Sequence, residues 1–232
     1  MEEKKRTGER ERRKRRQELR NERWEEKART LGYSTVNQVW TWNIQRARVT
    51  FARRNRFSEI LRVIAASKAE IVMFTELNEE HEGMQWIKAK DLYGVMIHGK
   101  KSGVFLRDAL ALDWKEQGCK KWCKSRVSAV EVNNVRYVSV YQPLWKSDIT
   151  EFENYRDDLN SIILECKKKT KLIIGGDFNS SIGDCELREN NSAAGPFGLG
   201  KTNEAGVDLM NWCHEHDLAW VNSFFRHGKR GT

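Results

Sequence analysis

The chain has 232 residues, of which 39% are hydrophobic and 32% charged, with a formal net charge of +9. That length suits one sizeable domain with or without an appendage, and no apolar run approaches the ~18 residues that a membrane-spanning helix needs. The polar N-terminus does not have the pattern of a secretory signal, and five cysteines without tight pairing point to free thiols in a reducing compartment.

In chain order, residues 1–35 read as a charged, low-complexity tail, helical or disordered. Residues 1–30 hold 13 Lys/Arg and 8 Asp/Glu, so +5 of the +9 sits there, with a basic peak at Arg12-Arg13-Lys14-Arg15-Arg16. Such a segment cannot bury a core. Its uses are electrostatic: a solvated helix, a nuclear-import signal or a nucleic-acid arm. Excess basic charge favours a polyanionic partner, most economically nucleic acid. The expected location is intracellular and nuclear, with no membrane partner; nothing in the sequence fixes an oligomeric state.

Residues 36–232 read as one α/β domain. Val39 to Ile44 reads as a strand. Arg56 to Ser67 carries Phe57, Ile60, Leu61 and Ile64 at helical spacing. Glu70 to Phe74 is a second strand, and Gly94 to Ile97 and Gly103 to Leu106 are short ones. Ser128 to Val132 and Val135 to Tyr141 form a predicted hairpin around Asn133-Asn134. Ile149 to Cys166 is a helix with Phe152, Tyr155, Leu159, Ile162 and Ile163 on one face. Leu172 to Gly175 reads as a buried strand, Glu204 to His216 as a helix, and Leu218 to Phe225 as a last strand.

Four of these strands end in polar residues suited to a phosphate. The most informative stretch is Leu172-Ile173-Ile174-Gly175-Gly176-Asp177-Phe178-Asn179. Two glycines are expected to turn the backbone tightly. Asp177 and Asn179, two apart in extended backbone, then leave on one side. The Asp can bind a cation or activate a water, and the Asn can donate to a phosphoryl oxygen without adding negative charge. The bland alternative is a turn after a core strand. Asn43 and Gln45 are placed on one face of the first strand. Glu76 follows the second, and Tyr141 ends the hairpin before Pro143. In layered α/β proteins, sites gather where loops present side chains from the ends of a rigid sheet.

Taken in order, Thr41-Trp42-Asn43-Ile44-Gln45, Phe74-Thr75-Glu76-Leu77-Asn78, Gly103-Val104, Tyr141-Gln142-Pro143 and Gly175-Gly176-Asp177-Phe178-Asn179 resemble the endonuclease/exonuclease/phosphatase superfamily. The loop Gly198-Leu199-Gly200 with Asn203 and Gly206, and Asn222-Ser223-Phe224-Phe225, look like its LINE-type (non-LTR) retrotransposon endonuclease branch. The resemblance implies a four-layer α/β sandwich, two facing mixed β-sheets flanked by helices. It implies phosphodiester hydrolysis, here on DNA, as in apurinic and retrotransposon endonucleases, with Mg²⁺ or Mn²⁺. Carried over by position, Glu76 is the main metal ligand with Asn43 beside it, and a one-Glu site suits an ion that keeps several waters. Asp177 orients or deprotonates the attacking water, and Asn179 and Tyr141 hold phosphate oxygens. Gln45 has no assured metal role.

The family pattern ends with a Ser-Asp-His segment that nothing after Asn179 matches. His214 and His216 fall on a predicted helix, and His227 lacks a preceding Ser-Asp. The expectation is a sandwich lacking its last strands, with weak or no hydrolysis. Two other readings compete. Gly195 to Thr202 fits the G-x-x-x-x-G-K-[ST] pattern of a P-loop NTPase, but the residues before it do not read as a strand and Pro196 removes an N–H from the cradle. A non-catalytic nucleic-acid-binding remnant would need only the basic charge. Cys119 with Cys123, and Cys213-His214 with His216, lack the spacing of a zinc site. Trp122, Lys124 and Arg126 are as consistent with an exposed loop as with a nucleic-acid contact.

Overall fold

The computed structural model describes residues 38–45, 56–89, 91–183, 193–195, 197–198 and 200–225, together with positions 11, 12, 15 and 22. The charged tail therefore lies almost wholly outside the described residues, as do Pro196, Leu199 and the segment 226–232. The chain divides into two compact units. One comprises residues 1–141 and 157–176, the other 142–156 and 177–232.

Among the described residues the first unit holds nine strands: β1 (Val39–Asn43), β2 (Ile71–Thr75), β3 (Gly83–Ala89), β4 (Leu92–His98), β5 (Ser102–Arg107), β6 (Lys121–Cys123), β7 (Val127–Val132), β8 (Val135–Tyr141) and β9 (Lys171–Asp177), the last crossing into the second unit at its final residue. Two sheets result, ordered β1-β2-β5-β4-β3 and β6-β7-β8-β9. Both are mixed. In the first, β1 is parallel to β2 and the other pairs are antiparallel. In the second, β6, β7 and β8 are antiparallel. Strand β9 runs the same way as β8, since the Lys171 N–H meets Asn134 O at its start and Asp177 O receives the Gln142 N–H at its end.

Strand β2 explains the layering. Its five residues are all buried, as expected of a strand covered on both faces. Ile71 and Met73 join Val95, Ile97, Val104, Leu106, Val130, Val132 and Tyr137 in the core between the sheets. Val72 and Phe74 face the other way, onto helix α1 (Arg56–Ala66), through Phe57, Ile60 and Ile64. Each such fully buried side chain stabilises the fold by roughly 1.5–3 kcal/mol. Phe57 meets Phe74 edge-on at 5.9 Å. Polar bonds also cross between the sheets: Ser139 Oγ donates to Phe74 O at 2.9 Å, and Ser128 Oγ donates to Ser102 O at 3.0 Å.

Helix α2 (Asp108–Glu116) has no counterpart among the predicted elements. Leu110, Ala111, Leu112 and Trp114 are all buried, so the segment lacks the one-sided stripe that marks a surface helix. Strands β3 and β6 were not predicted either. The hairpin was: Asn133 and Asn134 have φ of 52° and 59°, the doubly left-handed turn that two-residue β-hairpins favour.

Helix α3 (Ile149–Leu164) belongs to the first unit from Asp157 onward and covers the outer face of the second sheet there. Arg136, only 2% exposed, joins the two. Its guanidinium donates to Ile162 O at 2.5 Å and to Glu131 Oε2 at 2.6 Å, and lies 3.9 Å from the centre of the Trp122 ring. Trp122 Nε1 in turn donates to Glu165 Oε2 at 2.7 Å. Burial pushes the Glu131 carboxyl upward, but hydrogen bonds from Lys120 and Arg136 outweigh that and hold it below the ordinary carboxylate range.

The second unit contains the start of α3, helix α4 (Glu204–Glu215) and a 3₁₀ turn at Val221–Phe224. Asn203 caps α4, its Oδ1 accepting from Gly206 N–H at 2.8 Å. Arg156 pairs with Asp208 and stands 5.2 Å from the Phe152 ring centre and 5.0 Å from that of Trp212. The predicted strand over Leu218 to Phe225 is not formed. Trp220 makes one isolated bridge to Ala194. Ser223 Oγ then accepts from Gly195 N–H and donates to Trp220 O, and such local side-chain bonds favour a turn over a ladder.

The glycines at the end of β9 also differ from expectation. Both lie within the strand. A Cβ on Gly175 would come within 2.7 Å of Met73 Sδ and Thr41 Cγ2, and one on Gly176 within 2.0 Å of Val140 O. Gly176 also has φ of 147°. They permit close packing and one unusual dihedral rather than a tight turn. The strand itself is half-buried and at a sheet edge, with Ile173 41% exposed, not a fully buried strand.

Two outcomes are expected. Gly176→Ala should lower the unfolding free energy by at least the ~1–3 kcal/mol of a strained backbone, seen as a lower denaturant midpoint at unchanged slope. Cys213 is buried, and that burial pushes its thiol up to about 11. The reactive thiolate is thus scarce below that pH, and Cys213 should resist maleimide at pH 8 in the native protein while reacting readily in denaturant.

Candidate functional site

In the first unit, the parallel register of β1 and β2 sets Asn43 opposite Thr75, and the Ile44 N–H continues the ladder to Thr75 O at 3.0 Å. Glu76, one residue past β2, is thereby delivered beside Asn43. Asn43 Nδ2 donates to Glu76 Oε1 at 2.8 Å. Asn43 Oδ1 accepts the Gln45 N–H at 3.0 Å. Because the oxygen is held by a backbone donor, the amide nitrogen must face the carboxylate, and Asn43 fixes the orientation of Glu76. Gln45 and Glu76 both have left-handed φ, 48° and 56°. Non-glycine residues in that region cost about 1–3 kcal/mol each and gather at functional sites.

Gln45 thus corrects the sequence reading in one respect. The alternation that would put its side chain on the face of Asn43 ends with β1, and its contribution here is a backbone N–H. Glu76 Oε2 has no hydrogen bond to a described residue. A lone carboxylate beside an amide is an oxygen donor set of the kind that hard divalent cations take. Among the described residues there is no group of three or more His, Cys, Asp or Glu arranged to hold a metal ion. The four described cysteines are free.

Tyr141 closes β8 in the same unit. Its N–H donates to Arg126 O at 2.9 Å, and its own carbonyl accepts from Arg126 Nη1 at 3.2 Å. The Arg126 guanidinium lies 5.1 Å from the Tyr141 ring centre. Arg126 was not among the predicted site residues. The hairpin register, pairing Val127 with Val140, is the signal that would have placed it beside Tyr141. Trp122, by contrast, is taken up by Arg136 and Glu165.

In the second unit, Asp177 and Asn179 come together by a route other than the pleat. Asn179 has φ of 45°, and its N–H donates to Asp177 Oδ1 at 3.0 Å. This is an Asx turn, as the turn reading of these residues expected. Asn179 Nδ2 donates one N–H to Gln142 O at 2.6 Å, leaving its second N–H for another acceptor. Phe178 between them packs edge-on against Trp220 at 5.1 Å.

Lys201 and Thr202 of the P-loop-like segment make contacts within the second unit. Among the described residues no strand leads into that segment. The Thr202 hydroxyl accepts from Gly183 N–H, Lys201 O accepts from Ser181 Oγ, and Asn203 already occupies the start of α4.

The family model of the Endonuclease/Exonuclease/phosphatase family matches residues 40–230. The chain belongs to that family. Among curated proteins it is similar to craniofacial development protein 2 of Bos taurus, 32% identical over 97 residues, and to that of Tragulus javanicus, 31% identical over 97 residues. The match covers 42% of this chain and 16% of those relatives, so the chain spans a small part of their length. Among solved structures it is similar to the 3′ phosphatase NExo from Neisseria bound to a product DNA hairpin, with a TM-score of 0.37, 19% identity, and coverage of 62% of this chain and 58% of that one. It is also similar to the 3′–5′ exonuclease NExo of Neisseria meningitidis, with a TM-score of 0.37, 18% identity, and coverage of 65% and 61%.

The geometry of the Asn43–Glu76 pair gives a direct check. In Asn43→Asp the donor facing Glu76 becomes a second carboxylate, and neighbouring like charges disfavour ionisation. A carboxyl titration followed by ¹³C NMR should show the pair losing its last proton at higher pH than Glu76 alone does in the wild type. An unchanged titration would mean that the two side chains do not face each other in solution.

Proposed function

We propose that this chain is a metal-dependent phosphodiester hydrolase acting on DNA, of the apurinic-endonuclease and LINE-type retrotransposon kind. The observation that carries the reading is the Asn43–Glu76 pair, a single carboxylate oriented by an amide at the matched ends of two parallel strands. Glu76 would hold Mg²⁺ or Mn²⁺, with Asn43 keeping the carboxylate in place. The ion supplies neutralisation of charge on the phosphate in the transition state. Asp177 takes the part of orienting or deprotonating the attacking water. Asn179 uses its remaining amide N–H, and Tyr141 its phenol, to hold phosphoryl oxygens as charge develops. The branch rests on softer features: Gly206, where a Cβ would meet Ser181 O at 2.0 Å, the cap Asn203, and Ser223 with its four hydrogen bonds to Gly195, Phe197 and Trp220. The basic tail suits a nuclear protein that meets DNA.

The test is nicking of supercoiled plasmid with Mg²⁺ or Mn²⁺. Cleavage should need the metal, and Glu76→Ala and Asp177→Ala should each slow it by about 10²-fold or more, the scale of losing a positioned acid–base group. Binding that weakens steeply with salt, without cleavage under either metal, would favour the nucleic-acid-binding remnant instead. ATP affinity that Lys201→Ala abolishes and Glu76→Ala leaves alone would favour the NTPase.

A further inference from the structure

Gln142 directly follows Tyr141 and is fully buried, at 0% exposure. Within the second unit it touches the Asp177–Ser180 turn at three points. Its N–H donates to Asp177 O at 2.9 Å, its carbonyl accepts from Asn179 Nδ2 at 2.6 Å, and its Nε2 donates to Ser180 Oγ at 3.1 Å. Ser180 has one hydroxyl proton and gives it to Phe178 O at 2.7 Å. Toward Gln142 it can therefore only accept. That settles which way the Gln142 carboxamide faces: nitrogen to Ser180, oxygen elsewhere. The oxygen, Oε1, is buried and has no hydrogen-bond donor among the described residues.

An unpaired buried acceptor destabilises the fold, whereas an apolar side chain of the same size would avoid that penalty. Buried polar atoms left unpaired in a native protein call for an explanation, and a catalytic role or a bound water is one. We propose that Gln142 is a positioning residue for the phosphodiester site: it locks the Asp177–Ser180 turn that presents Asp177 and Asn179, and it keeps Oε1 as an acceptor for a water. The inference rests on the hydrolase reading above for its function, but its geometry stands without it.

Three variants of the full chain test it: Gln142→Met, Gln142→Glu and Ser180→Ala. Gln142→Met keeps the size and removes both polar ends. Its kcat in Mg²⁺-dependent plasmid cleavage should fall at least tenfold at every pH, with KM within twofold of wild type. Gln142→Glu keeps the shape, but its donor is a carboxyl proton. Burial raises that carboxyl's pKa, so the donor is present below the raised value and lost as pH rises through it. The variant should approach wild-type rate on the acid side and fall at least tenfold across an alkaline limb that wild type lacks. Ser180→Ala combined with Gln142→Met should lose little more than Gln142→Met alone. Wild-type kcat in Gln142→Met, or a Gln142→Glu profile parallel to wild type, would overturn the proposal.

A second readout needs no catalysis. In a ¹H–¹⁵N spectrum, the Asn179 side-chain amide pair should shift in Gln142→Met while the Asn203 pair stays. If wild type fails to cleave DNA under either metal, the hydrolase reading falls on its own. The Asn179 resonances then decide whether Gln142 fixes the turn, and an unmoved pair would sink that as well.

Discussion

The register between β1 and β2 is the constraint on which the Asn43–Glu76 pair depends. Strand β2 is buried on both faces, tied on one side to the inter-sheet core and on the other to α1. It cannot slip by one residue without sending Ile71 and Met73 to the wrong layer. Its end is therefore fixed, and Glu76 emerges from a rigid base. Parallel pairing then aligns β1 so that Asn43 arrives at the same level. A hydrogen bond of 2.8 Å between exposed groups would be weak by itself. Here it gains directional value because both backbones are held by packing that has nothing to do with the bond.

The second unit arrives at order by other means. No buried strand there presents Asp177 and Asn179. Instead, short hydrogen bonds within four residues hold the turn, the Phe178 ring rests on Trp220, and Gln142 braces the turn from its own buried position. Such an arrangement is dense in polar contacts and poor in apolar ones, so its geometry is set by the satisfaction of donors and acceptors. That is a suitable design for groups that must face water or phosphate and still be immobile.

Much of the architecture was readable from periodicity. The helices Arg56–Ala66, Ile149–Leu164 and Glu204–Glu215 and the strands around Phe74, Val104, Val130 and Val138 follow the spacing of their apolar residues. The α/β sandwich followed from resemblance. What escaped had physical reasons. Helix Asp108–Glu116 is buried on too many sides to show a stripe. The terminal run Leu218 to Phe225 has the composition of a strand, yet Ser223 turns it through local bonds. The Asn43–Glu76 pair and the Asp177–Asn179 turn were legible as polar strand ends, but not the manner in which each pair meets. Gln45, Glu76 and Asn179 all adopt left-handed φ, which an argument from strand alternation cannot foresee. Gly175 and Gly176 looked like turn formers. Their true constraint comes from Met73, Thr41 and Val140, residues distant in sequence.

Arg136 has a consequence for which sequences this fold accepts. Its planar guanidinium serves a helix-end carbonyl, a carboxylate and an indole face at once, from a position with almost no solvent. A lysine would carry the same charge but could neither stack flat on Trp122 nor divide its donors in that fork. The outermost helical layer is thus keyed to the shape of a cation as well as to its sign. Drift at this position should be far narrower than at the chain's surface lysines.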